Sequence, residues 1–355
     1  MTRTSATVLN VQALRAFAAF IVVVFHVSLI AARGDPAAWV WHAGAFGVDI
    51  FFVISGFIIM HVSDRWWGRP WSFMKGRLVR IMPIYWIATV VMLLPVLLLG
   101  RPFAGITQVD GAEFLSNVFL VPNTAPGDGR YFYVAGAWTL VYEMLFYALF
   151  AIGILFRNKT KALVFVIAAF LLLSVLRAIV PHAENTLFNY LTDPIVYVFA
   201  SGALLGLAYP HMSRLAPRQA QWGGVALIGA GLVVWLLMAT DPKDIGSERA
   251  LIYGIPAFAI VAGALLLERA GLKASHPMVQ EQGDASYCLY LFHDAGFYLV
   301  FGVAHALGLM ERFGLPLALA AIAAAMVAAT LVYRWVERPL TTALNKRFVA
   351  PRAAA

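Results

Sequence analysis

Charge is what this 355-residue sequence has least of. Only 12% of it is Asp, Glu, Lys or Arg, while 62% falls in the AVILMFWYC set and the mean hydropathy is +0.80. An average soluble domain is about 45–50% apolar and about 25% charged. So few charges cannot clothe a water-facing surface, which excludes an ordinary cytosolic enzyme and a disordered chain. Cysteine is scarce as well. Cys288 stands alone, so a disulfide scaffold is excluded. No Walker A motif, dinucleotide glycine fingerprint, Cys/His metal spacing or Gly-x-Ser-x-Gly elbow occurs. ATP-driven transport, redox chemistry and serine hydrolysis therefore have no support, and no metal is expected.

What the sequence does have is long apolar runs. The hydrocarbon layer is ~30 Å thick, so a spanning helix needs ~20 apolar residues. Ten runs qualify, at about 13–32, 43–62, 78–99, 135–156, 162–180, 187–209, 222–240, 249–267, 285–309 and 315–335. They are continuous and do not alternate, which argues against a barrel. The expected fold is an all-α polytopic membrane protein, a single domain over 1–355 without a soluble part. The shorter run 114–122 reads as a re-entrant or interfacial piece.

Orientation follows from the basic residues in the loops. With the N-terminus inside, the outer side holds Arg33, Arg101, Arg130, Arg177, Lys243, Arg249 and Arg312. That is 7 against 17 inside, with Arg15 and Arg80 counted on neither side. Both termini inside agrees with an even number of spans. The +8 net charge is thus a topology signal, and no nucleic-acid partner is expected. Trp39 and Trp41 at the outer end, and Trp66, Trp67 and Trp71 at the inner end, suit the two interfaces.

Ionisable groups inside a bilayer are costly and tend to face functional cavities. In the first span Arg15 and His26 lie eleven residues apart, which puts them on one helical face and ~16 Å apart along the axis. Counting from the expected span ends places His26, Asp49 and Glu143 at one depth in the outer half. A histidine with carboxylates is an acid–base constellation, although a polar knot between helices would use the same residues. Arg77 and Arg80, at i and i+3, share a face at the inner mouth. Guanidinium forks suit phosphate oxygens, and lipid headgroups are the competing explanation. His293 and Asp294 line the same cavity or bond a neighbouring helix. Asp193 and Arg177 read as a structural pair. Gly47, Gly56, Gly202 and Gly206 read as close-packing points. Glu337, Arg338 and Pro339 read as the close of the last helix.

Five ordered segments resemble the acyltransferase-3 family. The first is Asn10-Val-Gln-Ala-Leu-Arg15 with His26 eleven residues on. The second is Gly47-Val-Asp49-Ile-Phe51-Phe52-Val-Ile-Ser55-Gly56. Arg77-Leu-Val-Arg80 is the third, and Trp138-Thr-Leu140 with Glu143, Phe146 and Tyr147 the fourth. The last is Ser286-Tyr-Cys-Leu-Tyr290-Leu-Phe-His293, followed by Asp294 where the family commonly has proline. Asn10, Gln12 and Tyr142-Glu143-Met144 are similar to the rhizobial exopolysaccharide O-acetyltransferase subgroup.

The resemblance implies a bacterial inner-membrane enzyme. It would move an acyl group, commonly acetyl, from cytoplasmic acetyl-CoA to a sugar hydroxyl of an exported or lipid-linked glycan. Implied partners are acyl-CoA, the glycan, membrane lipids and polysaccharide-assembly proteins. Implied roles are coenzyme A binding by Arg15, Arg77 and Arg80, and general-base catalysis by His26 with Asp49 or Glu143 as its carboxylate. His293, Tyr142 and Ser55 would line the cavity. Transfer through an acyl-histidine and direct transfer remain equally compatible with the residues. A cytoplasmic small-molecule acceptor, or glycan transport without chemistry, are the alternatives.

Overall fold

The computed structural model describes residues 7–31, 42–100, 103, 105–122, 132–180, 186–238, 248–309 and 314–349. Among these residues ten helical segments are long and apolar enough to cross a membrane. No strand occurs among them, only an isolated bridge between Phe103 and Ile106. The chain is an all-α polytopic membrane protein. Trp39 and Trp41 lie outside the described residues.

Helix α1 is Leu9–Ala31. A 3-10 turn, His42–Phe46, leads into α2, Gly47–His61. α3 is Pro70–Leu99, α4 is Gly111–Val118 and α5 is Trp138–Gly153. α6 is Lys159–Ile179, α7 Thr186–Leu191, α8 Val196–Ala208 and α9 Pro217–Leu237. α10 is the short Arg249–Ile252, continued by α11, Gly254–Arg269. α12 is Pro277–Asp284, α13 Ser286–Ala306, α14 Gly314–Val332 and α15 Arg338–Leu344.

Three of the differences from the apolar runs have a clear physical reason. α3 begins eight residues before its apolar run, because Pro70 at the first helical position starts a turn without needing an amide donor. Its polar first turns do not register as hydrophobic. The sixth span breaks between α7 and α8, where the Asp193 carboxylate accepts from the Ile195 amide ahead of Val196. The tenth span does not close at Glu337. It passes through a π-turn, Tyr333–Glu337, into α15 and on to Val349. Glu337 is buried there and accepts from the Cys288 thiol at 2.9 Å.

The outer faces carry leucine. Leu97, Leu98, Leu99, Leu172 and Leu237 are all exposed, which suits hydrocarbon and not water. α2 is the most enclosed span and packs most extensively on α8. Glycine permits this approach. A Cβ on Gly56 would overlap the Phe199 carbonyl, and one on Gly202 the Val53 carbonyl. A Cβ on Gly206 would press on Met60, and one on Gly47 would overlap the Ala18 carbonyl of α1. All four are close-packing points, as small residues are where membrane helices meet.

The run 114–122 overlaps α4, capped by the Asp110 carboxylate on the Ala112 and Glu113 amides. Tyr85 donates to the Asn117 carbonyl, and Trp86 to that of Val118. α3 continues for fourteen residues beyond Tyr85, ~21 Å of helix. The C-terminal end of α4 is fastened to α3 at Tyr85 and Trp86.

Candidate active site

One cavity of about 360 Å³ runs among α1, α2, α3, α5 and α13. Along α2 its lining extends from Val62 to Val48, fourteen residues or ~21 Å. It is a slot, with Thr7 and Arg65 at one end and Phe51, Thr139 and Leu140 at the other. Arg15, Arg65, Arg77 and Arg80 all line it, and Glu143 is its one lining carboxylate.

Among the described residues Arg77 is incompletely satisfied within the protein. Arg15 donates to the Gln12 side chain at 3.0 Å. The Arg77 guanidinium lies over the rings of Phe73 and Tyr147, at 5.7 and 5.9 Å, and its Nε is buried without a hydrogen-bond partner. The Ser286 hydroxyl also lines the slot, fully buried and unpartnered. Buried polar atoms without partners are rare and costly. A slot edged by such donors is built for an anionic, hydrogen-bonding ligand. Arg77 and Arg80 stand ~10 and ~15 Å from the start of α3, well past the mouth where a shorter helix would have put them.

Glu143 is engaged by its neighbours. Its Oε1 accepts from Ser55 at 2.9 Å and from Tyr147 at 2.5 Å. Ser55 thus lines the cavity in contact with the carboxylate. Tyr142 does not belong to the lining. It packs in an aromatic cluster with Tyr190, Phe52 and Trp138.

The structure separates His26, Asp49 and Glu143 in depth. α1 and α2 are antiparallel neighbours, and their contacts calibrate their levels. Gly44 meets Ile21 and Phe25, and Gly47 meets Ala18 and Val22. Asp49 therefore lies roughly two turns, ~12 Å, from His26 along the bundle. Ser55 and its partner Glu143 lie further still. Counting from span ends failed because the 3-10 turn 42–46 is already packed against the middle of α1.

Asp49 is instead bound to Arg249. The guanidinium donates to both carboxylate oxygens, at 2.8 and 3.4 Å, and to the Ala45 carbonyl at 3.1 Å. It also lies 5.6 Å from the rings of Trp138 and Tyr253. Asp49 is wholly buried, so the pair neutralises two interior charges. Sequence reasoning missed Arg249 by counting it as a loop charge. Its signal was position, since Arg249 opens the eighth span at the end where Asp49 opens the second. Arg177 does not meet Asp193 through a hydrogen bond. It donates to the Asn189 carbonyl and to the Thr192 hydroxyl.

His26 meets a different partner. Its Nδ1 is 3.1 Å from His293 Nε2 and 3.0 Å from the Val22 carbonyl. His293 is buried at 1% exposure, with Asp294 Oδ1 3.5 Å from its Nε2. Neither histidine is in the slot lining, which on α2 ends at Val48, about two turns short of His26. Tyr290 links the two. It lines the slot, and its ring stands 6.4 Å from that of His293.

The family described as "Acyltransferase domain", Acyl_transf_3, matches residues 8–335. The chain belongs to this family. It is an acyltransferase enzyme, and its ten apolar helices make it a multi-pass membrane one. It is 35% identical over 308 residues to the "Exopolysaccharide production protein ExoZ" of Rhizobium meliloti, covering 84% of this chain and 89% of that protein. It is 26% identical to "Nodulation protein 10" of Rhizobium leguminosarum bv. viciae, over 80% of this chain and 81% of that one. The "Peptidoglycan O-acetyltransferase OatA" of Listeria monocytogenes is 24% identical over 93% of this chain, which spans about half, 55%, of that protein's length. No solved structure matches the chain.

Proposed function

We propose that this chain is a bacterial inner-membrane O-acetyltransferase that moves acetyl from cytoplasmic acetyl-CoA to a sugar hydroxyl of an exopolysaccharide or its lipid-linked precursor. The observation that carries the reading is the slot, with four arginines against one carboxylate and buried donors left open. The exopolysaccharide acceptor is supported by the likeness to ExoZ over most of both chains. The orientation is supported by the loop charges, which turn the Arg65 end of the slot to the cytoplasm.

Arg77 and Arg80 hold the donor's phosphates, with Arg15 and Arg65 adding charge along the slot. Ser286 offers a donor to the amide-bearing arm. The thioester travels inward past Tyr290 toward His26. His26 acts as general base on the acceptor hydroxyl, since a neutral imidazole suits proton abstraction near neutral pH. The hydroxyl oxygen bonds to the acyl carbon, the carbon–sulfur bond breaks, and the proton passes through His26 to the departing thiolate. Asp49 serves His26 only indirectly, by fixing α2 against α10. The whole chain works as one membrane domain, alongside proteins that assemble the polysaccharide.

The test is mass analysis of glycan repeat units from a polysaccharide-producing bacterium lacking its own such enzyme. Wild type should add one base-labile acetyl group. His26→Ala should add none, a loss of at least about 10²-fold, while accumulating normally in the membrane. Unmodified glycan from well-expressed wild type, in a strain making the acceptor, would overturn the reading.

A further inference from the structure

His26 and His293 lie 267 residues apart in sequence and meet through their ring nitrogens at 3.1 Å. Their ring centroids are 4.8 Å apart and tilted by 42°. Each Nδ1 also lies 3.0 Å from the carbonyl of the residue four earlier, Val22 for His26 and Leu289 for His293. A carbonyl only accepts. Each neutral ring therefore carries its proton on Nδ1. The His293 Nε2 lone pair then shares the one His26 Nδ1–H with the Val22 carbonyl, and His26 Nε2 is left with its own lone pair. This arrangement defines a direction, in which the proton-accepting nitrogen of His26 is Nε2 and the opposite side of its ring is held by His293. Asp294 Oδ1 stands 3.5 Å from His293 Nε2, and the Phe297 ring closes the far side of His293 at 5.5 Å.

We infer that His293 and Asp294 are the positioning pair of the transfer reaction: His293, alongside the Val22 carbonyl, accepts from His26 Nδ1–H so that Nε2 stays exposed and, with Asp294, stabilises the charge that appears when Nε2 takes the acceptor's proton. The inference rests on His26 being the general base. In the step itself the hydroxyl proton moves to His26 Nε2 as the new carbon–oxygen bond forms. The positive charge is shared through the Nδ1–H to His293 Nε2, and Asp294 supplies the compensating negative charge. When the carbon–sulfur bond breaks, His26 Nε2 returns the proton to the thiolate, and both histidines are neutral again. A histidine oriented by a second polar group is a recurring arrangement in acyl transfer. Here a second imidazole occupies the place for which sequence reasoning supplied a carboxylate.

The test is steady-state kinetics of the purified full chain with acetyl-CoA and its glycan acceptor. His293→Ala should lower kcat by about 10²-fold, with KM for acetyl-CoA within about twofold and the melting temperature little changed. His293→Gln places an amide oxygen near the lost Nε2 and should recover at least about tenfold of that loss, because an amide oxygen can again accept from Nδ1–H and share the charge of the imidazolium. His293→Phe keeps a ring against Phe297 without the acceptor, and should track the alanine variant even if alanine weakens the fold. Wild-type kcat in His293→Ala and His293→Phe would overturn the inference, as would a glutamine variant no better than phenylalanine. Full transfer by His26→Ala would remove the base reading and this inference together. A dead His26→Ala beside a fully active His293→Ala would remove this inference alone.

Discussion

Two stretches of α2, six residues apart, treat charge in opposite ways. At Asp49 a buried carboxylate meets Arg249 through both oxygens, and that guanidinium is further occupied by Ala45 and two aromatic rings. At Ser55 the helix faces a slot in which Arg15, Arg65, Arg77 and Arg80 outnumber Glu143, and Arg77 Nε has no partner. The first site is electrically closed and the second is open. An ionisable residue in a membrane is therefore a weak guide to chemistry until its partner is known. The closed pair joins two helices, and the open group has a donor left for a ligand.

The comparison breaks hardest at the closed site. Asp49→Ala leaves the Arg249 guanidinium buried without its counter-ion, which costs about 3–5 kcal/mol when one member of such a pair is removed. The variant should accumulate poorly or melt far below wild type. The double variant Asp49→Leu with Arg249→Met should recover most of that stability. A stable single variant, read by melting in detergent, would show that the pair is not closed.

A smaller effect probes the edge of the bundle. Arg334 donates to both carboxylate oxygens of Glu281, and these hydrogen bonds hold the Glu281 carboxyl below its ordinary value. A depressed carboxyl contributes stability above its unfolded pKa and loses it as pH falls through the folded one. Hydrogen exchange in α12 should therefore stay slow at pH 6–7 and rise only below about pH 4.3, the ordinary glutamate value. Arg334→Gln should abolish that acid transition. Because the pair is exposed, the effect is local and small.

The spans were legible because hydrocarbon selects one composition along ~30 Å. Their ends were less so. Pro70 begins α3 before the hydropathy rises, so Arg77 and Arg80 lie within the helix and not at its first turn. Of the slot's arginines, Arg15, Arg77 and Arg80 were legible by type and spacing, and Arg65 was not. Partners were not, because depth leaves helix azimuth and neighbour order undetermined. His26, Asp49 and Glu143 appeared level from their span ends, yet Gly47 against Ala18 sets α2 lower on α1. The link from His26 to His293 crosses 267 residues and has no local signal. Gln12, Tyr287 and Ser286 were likewise invisible as slot residues until the helices were assembled.

The central claim is that the open arginines, and not the closed one, hold the acyl donor. Calorimetric titration of acetyl-CoA into the purified full chain tests it most directly. Wild type should bind, Arg77→Gln should weaken binding by at least about tenfold, the loss of one charge-assisted phosphate contact, and the folded Asp49→Leu, Arg249→Met double variant should bind as wild type does. Unchanged affinity in Arg77→Gln, or no binding by folded wild type, would contradict it.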